Sequence, residues 1–189
     1  MVIRTSTEQR LLDAAEDLFF TRGIAATPVD AVLARAGVSA ATLYRGYPSK
    51  EALVAAALDR RHLAWLACWD EAVERRTDPA ERLLAVFEAL DVFADRPGGG
   101  RWCAFLGSAA EYADAPAEVA EAVQRDTDSL RERLTELAGP VVAHGSPDEL
   151  AEQLLLLVTG ALAMRLRRPG STADAARRIA AELVAADRR

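Results

Sequence analysis

Apolar side chains recur along this chain at helical spacing from one end to the other. Leu11, Ala15, Leu18 and Phe19 fall at i, i+4, i+7 and i+8, ahead of Gly23. Val29, Val32, Leu33 and Ala36 repeat the spacing up to Gly37. Val54, Leu58, Trp65, Cys68, Trp69 and Val73 draw a longer stripe, interrupted by Arg61. Leu150, Leu154, Leu157, Val158 and Ala161 form another, and Ala176, Ile179, Ala180 and Leu183 a last one. This spacing places an apolar stripe on one face of a helix with 3.6 residues per turn. No segment sustains an alternation with period two. The pattern predicts an all-α fold of about nine helices, with no strands and no internal repeat.

The helix starts share a grammar. Thr27, Asp78 and Ser146 each precede a proline, and an acid follows two residues after that proline (Asp30, Glu81 and Glu149) or sooner. An oxygen-bearing N-cap accepts a backbone N–H, proline at the first helical position gives up a donor that lacks a partner anyway, and the acid suits the positive end of the helix dipole. Ala115, Pro116, Ala117 and Glu118 follow the pattern with a weaker cap. Residues 6–9 and 171–174 also read as N-termini. Breaks fall at Gly23, Gly37, 97–100, 139–140 and 169–170, where glycine and proline cluster.

Composition narrows the class. Hydrophobic residues make up 51% of the 189 positions, enough for a real core. Cys68 and Cys103 are too few for a disulfide framework, so a reducing cytoplasm is the expected compartment. The start of the chain shows no basic-then-apolar leader. The longest apolar stretch, 154–164, falls short of the roughly 18 residues that a membrane span needs. A net charge of −6 looks wrong for a nucleic-acid binder until it is divided along the chain. Residues 1–50 carry six basic against five acidic side chains, whereas the remainder carries 17 against 24. The N-terminal end is therefore the one suited to approach phosphate, with an acidic body behind it.

The stretch 27–53 carries the chemistry. A short helix over 28–36 meets the turn Gly37, Val38, Ser39, and a second short helix runs to about 44 or 45. Helix, tight glycine turn and helix is the geometry that presents a recognition helix to the major groove. Gly37 permits a left-handed backbone at the end of the first helix. Val38 and Leu43 plug the angle between the helices, leaving Ala40, Ala41, Thr42, Tyr44 and Arg45 for the outer face. Small residues let a helix sink into a groove, and Arg45 suits either guanine edges or phosphate. The hydroxyls of Thr27, Ser39, Thr42, Tyr44 and Tyr47, together with helix N-termini near Pro28, Ala40 and Lys50, are candidate phosphate ligands. Lys50 opposes the dipole of the helix it begins, a cost that a phosphate partner explains.

The run GVSAATLYRGYPSKEAL at 37–53 resembles the signature of the tetracycline-repressor family, and the likeness extends upstream to Ala14, Ala15, Leu18, Phe19, Gly23, Ile24 and Thr27. The resemblance implies a three-helix DNA-binding head over 1–48 and a helical body over 49–189 for dimerisation and ligand sensing. It implies that Thr27, Tyr44 and Lys50 contact backbone phosphates, with Ser39, Ala40, Ala41, Thr42 and Arg45 in or beside the major groove. Gly46 and Tyr47 stand where the family commonly has histidine and phenylalanine. The glycine removes a potential phosphate contact, and the tyrosine keeps the ring that packs the head onto the next helix.

For the body, the resemblance implies a homodimer through the last two long helices, 146–168 and 172–186. Leu154, Leu155, Val158 and Leu162, on a helix apolar nearly all round at 154–158, and Ile179 and Leu183 on the next are the expected interface residues. Trp65, Trp69, Phe87, Trp102, Cys103, Phe105 and Glu111 are candidates for a cavity that takes a small, largely apolar effector. The segment 99–112 resembles a family sub-group in which this helix couples ligand to the DNA head. The expected function is a ligand-responsive regulator, a repressor that binds a palindromic operator and is released by its effector. A helical adaptor controlled by a protein partner, with weak or lost DNA binding, is the alternative. Enzyme function is not expected, because the chain has no glycine-rich phosphate loop, nucleophile elbow or metal-hydrolase motif. No cofactor is expected. His62, His144 and the two cysteines show no ligand-pair spacing, so no metal is expected either.

Overall fold

The computed structural model describes residues 5–96, 103–112 and 114–187. Among them nine α-helices run in chain order and no strand occurs: α1 (Thr5–Arg22), α2 (Val29–Ala36), α3 (Ala40–Gly46), α4 (Lys50–Glu74), α5 (Pro79–Asp95), α6 (Ala104–Glu111), α7 (Ala117–Ala138), α8 (Pro147–Arg167) and α9 (Asp174–Asp187). The all-α expectation holds, and the helices start within a residue or two of the proline-marked signals. Asp78 caps α5 as expected, its side chain accepting from Glu81 N at 3.0 Å. Ser146 precedes α8 without a side-chain capping bond. No helix among the described residues is long and apolar enough to cross a membrane.

The chain packs as two compact units, one of Met1–His62 with Cys103–Gln124, the other of Leu63–Trp102 with Arg125–Arg189. The division expected at residue 48 does not coincide with these packing units, whose border falls after His62 within α4. Three short helices cannot enclose a core of useful size by themselves. In the first unit, Leu11, Ala15, Leu18 and Phe19 of α1, Val32 and Ala36 of α2, and Leu43 of α3 face inward. Leu53, Val54, Ala57 and Leu58 of α4 close this core together with Ala104, Phe105, Val119 and Ala122.

The core of the second unit is centred on Trp69, Leu83, Phe87, Leu134, Leu150 and Leu154, all essentially inaccessible. Trp65 stacks on Trp69 with centroids 5.7 Å apart and meets Phe93 edge-on at the same separation. Helix α9 packs on α5 and α8. Its start is anchored by Asp91, which accepts from Ala173 N at 3.0 Å and pairs with Arg165. Burial pushes the Asp91 carboxyl above its ordinary value despite both donors. Leu154 and Val158, expected at a twofold interface, are closed within this unit's own core. Leu155, Leu162 and Leu183 lie partly buried against it. Ile179, at 53% exposure, faces outward, as does Leu156 at 73%, which sequence reasoning did not single out. The inward row Leu150, Leu154 and Val158 follows the stripe read from spacing, whereas the run 154–158 has no polar residue to mark which side faces outward.

Candidate nucleic-acid interface

Helix α2 ends where it must turn. Gly37 takes φ 63° and ψ 43°, and its N–H returns to Leu33 O, so the left-handed glycine anticipated at this corner is present. A side chain here would be strained by the backbone alone. After the turn, Ser39 caps α3: its hydroxyl accepts from Thr42 N at 3.3 Å and meets the Thr42 hydroxyl at 2.9 Å. Leu43 points straight into the core at 0% exposure. That one anchor fixes the rotation of a seven-residue helix. Ser39, Ala40, Ala41, Tyr44 and Arg45 are exposed and Thr42 is half-buried, with Ala41 and Arg45 on the side opposite Leu43. Tyr44 is 53% exposed, a large aromatic phenol presented to solvent rather than packed. Arg45 forms no ion pair among the described residues, whereas Arg35 pairs with Asp17 at 2.9 Å and Arg60 with Asp13 at 2.8 Å and with Glu16. The uncompensated positive charge of α3 thus lies on its outer face.

Three of the expected phosphate ligands point elsewhere. Thr27 is 1% exposed, its hydroxyl donating to Gly23 O at 2.7 Å and lying 3.3 Å from Leu18 O. It braces the end of α1 rather than capping α2, whose N-cap is Pro28. Tyr47 is 8% exposed and donates its hydroxyl to Glu8 Oε1 at 3.2 Å. Burial, reinforced by the neighbouring Glu8 carboxylate, pushes its phenol up to about 12. The Lys50 ammonium donates to Ile24 O at 2.5 Å and sits 5.7 Å from the centroid of the Phe19 ring. Tyr47 and Lys50 have partners 39 and 26 residues away, which local pattern does not reveal, whereas Thr27 bonds back into the end of its own preceding turn.

The candidate effector residues divide between the units. Trp65, Trp69 and Phe87 belong to the core of the second unit. Cys103, Phe105 and Glu111 belong to the first. Cys103 is the N-cap of α6, and Phe105 meets His62 edge-on at 6.3 Å. Trp102 lies outside the described residues. Glu111 is turned to backbone: its carboxylate accepts from Ile24 N at 3.1 Å and Ala25 N at 2.8 Å. Arg61, the interruption in the α4 stripe, is buried with its guanidinium 5.7 Å from the Phe20 ring centroid. Burial draws its pKa down, against the opposing field of Glu16.

A helix, a left-handed glycine corner and a capped short helix with small, hydroxyl and arginine side chains outward define the helix-turn-helix class of protein. Residues 11–57 match the model of the family described as bacterial regulatory proteins, tetR family. A crystal structure of a TetR-family transcriptional regulator from Streptomyces coelicolor is similar with a TM-score of 0.87 at 27% identity, over 99% of this chain and 98% of that one. The HTH-type transcriptional activator FasR of Mycolicibacterium smegmatis is 29% identical over 136 residues, 72% of this chain and 62% of that protein. An uncharacterized HTH-type transcriptional regulator of Mycobacterium tuberculosis is 36% identical over 94 residues, 49% of this chain and 46% of its own length. The matched part thus spans less than two thirds of either curated relative. Residues 11–57 thus match the tetR family of bacterial regulatory proteins, and the whole chain shares the fold of a TetR-family regulator.

Proposed function

We propose that this protein is a DNA-binding transcriptional regulator that lays α3 in the major groove of a two-part operator as a homodimer. The observation that carries the reading is the rotation of α3. Leu43 is fully buried, while Ala40, Ala41, Tyr44 and Arg45 are exposed. Ala40 and Ala41 allow close approach to base edges. Ser39 and Thr42 offer hydroxyls at the helix start, and Tyr44 and Arg45 reach toward a strand or a guanine.

The dimer is the second part of the proposal. Leu156 and Gly160 are one turn apart on α8, and a Cβ at Gly160 would meet nothing within 4 Å. With Ile179 exposed on α9, this surface suits close helix packing against a second copy of the chain. The third part is an effector, small and largely apolar, held in the body around the aromatic side chains. Effector binding favours a conformation with lower operator affinity, and by linkage operator DNA opposes the effector equally. Repression relieved by effector in the cytoplasm is the reading proposed here. The similarity to an activator favours activation as the second reading.

Fluorescence anisotropy on a labelled duplex from upstream of the protein's own gene tests the groove assignment. Affinity should fall steeply with salt, as expected where several phosphate contacts form. Arg45→Ala should cost about 1–3 kcal/mol on the best site and relax discrimination there if it reads a base. Tyr44→Ala should weaken all sequences alike, and Thr42→Ala should alter preference. Wild-type affinity in all three variants would remove α3 from the interface.

A further inference from the structure

Two charged side chains in the first unit stand at the wrong ends of their helices. Glu111 is the last residue of α6, where a carboxylate faces the negative end of the dipole. Lys50 is the first residue of α4, where an ammonium faces the positive end. Each placement is unfavourable when taken alone, and both are resolved by the same peptide segment. The Glu111 carboxylate takes the N–H groups of Ile24 and Ala25, at 3.1 and 2.8 Å. The Lys50 ammonium donates to the carbonyl of Ile24. Ile24 is thus held by an anion at its N–H and a cation at its C=O, from residues 87 and 26 positions away.

This segment joins α1 to α2, and its course decides where α2 begins. Gly23 is needed there twice over. Its φ of +95° suits glycine, and a Cβ would lie 3.1 Å from Glu111 Oε1. Thr27 closes the other end of the turn through its hydroxyl on Gly23 O. The turn leads directly into α2, and α2 through Gly37 into α3, so its placement sets the placement of the recognition helix.

We infer that Glu111 and Lys50 are positioning residues for DNA binding, a paired clamp on Ile24 that sets how α2 and α3 are presented. The inference rests on the DNA-binding reading above and assigns these two residues a role apart from phosphate and effector contact. It reverses an electrostatic expectation. Removing the negative charge of Glu111 should, on charge alone, strengthen attraction to DNA. Loss of a clamp weakens it instead. Likewise, removing a lysine that grips phosphate lowers the salt slope by about one, whereas removing a positioning lysine lowers affinity and leaves the slope in place.

The test uses the full-length chain, with Glu111→Gln, Glu111→Ala and Lys50→Met, each first checked for wild-type helicity. Binding to the same duplex is measured across a salt series, and amide exchange is followed at Ile24 and Ala25. Hydrogen bonds to a charged group are among the stronger ones, so Glu111→Ala should weaken DNA binding roughly tenfold. Glu111→Gln, which keeps one acceptor oxygen, should lose less. Both should leave the salt slope unchanged, as should Lys50→Met. The Ile24 and Ala25 amides should exchange faster in Glu111→Ala. Affinity at or above wild type in both Glu111 variants, or unchanged amide exchange, overturns the clamp, as does a slope reduced by about one in Lys50→Met. A wild-type chain that binds no duplex at any salt overturns the DNA-binding reading itself, a result distinct from any of these.

Discussion

Replacing Thr27 with valine removes one hydroxyl and keeps the branched shape of the side chain. The site is closed at 1% exposure, and the hydroxyl donates to Gly23 O at 2.7 Å. Leu18 O, the weaker acceptor at 3.3 Å, lies within α1, but Gly23 lies one residue beyond the last turn of that helix. The valine therefore withdraws the donor from a part-buried carbonyl. Losing a neutral hydrogen bond while leaving such an acceptor behind costs about 1–3 kcal/mol. In a chain of this size each kcal/mol moves the melting midpoint by about 2–4 °C, so the expected fall is roughly 2–12 °C. Thr27→Ser retains the donor and loses only a buried methyl, about 1 kcal/mol. Thermal melts followed by circular dichroism separate the two variants, and a salt series of DNA affinities supplies the second axis. The account expects the valine variant to melt below the serine variant, with an unaltered salt slope. A valine variant that melts like wild type and binds DNA with a slope reduced by about one would put the hydroxyl on phosphate and refute the reasoning.

Two further outcomes follow from the same geometry. Tyr47 titrates at about 12 in the folded chain against 10 in its ordinary state, because burial and the Glu8 carboxylate both disfavour the phenolate. A phenol whose folded value is raised contributes stability that is complete below pH 10 and is lost as pH rises toward 12. A phenolate difference spectrum, wild type against Tyr47→Phe, should show the missing tyrosine ionising late, and an ordinary midpoint near 10 would contradict the burial. Leu156→Glu and Ile179→Glu place charges on exposed positions of α8 and α9, so monomer folding should be preserved while a dimer through that face dissociates. Sedimentation at several concentrations reads this, and a dimer unaffected by both substitutions would move the interface elsewhere.

The sequence disclosed the helices and the recognition corner because their determinants are local. The glycine corner at Gly37 and an inward Leu43 can be read from ten consecutive residues and reappear with the expected roles, while the capping of α3 by Ser39 was not anticipated. The capping grammar was right at Asp78 and incomplete at Thr27, whose hydroxyl had a better acceptor behind it in Gly23 O. Lys50 looked like a phosphate ligand because its local cost had no visible remedy, and that remedy is Ile24 O. Glu111 was a candidate effector contact within the segment 99–112, and nothing near residue 111 indicates that its partners lie at 24 and 25. On α8 the difficulty was phase rather than distance. The spaced stripe Leu150, Leu154 and Val158 is buried as read, but the apolar run 154–158 has no polar face to mark the outward row, and Leu156 is the exposed member.

Methylation interference on the bound duplex addresses the claim on which the function depends, that α3 enters the major groove. Guanine N7 faces that groove and adenine N3 the minor one, so the two modifications report separately on each. The account predicts that N7 methylation at a few guanines in each half-site blocks binding, and that Arg45→Ala abolishes sensitivity at one of them if Arg45 reads that base. Binding that is indifferent to every N7 methyl group, or is blocked only by N3 methylation, would contradict it.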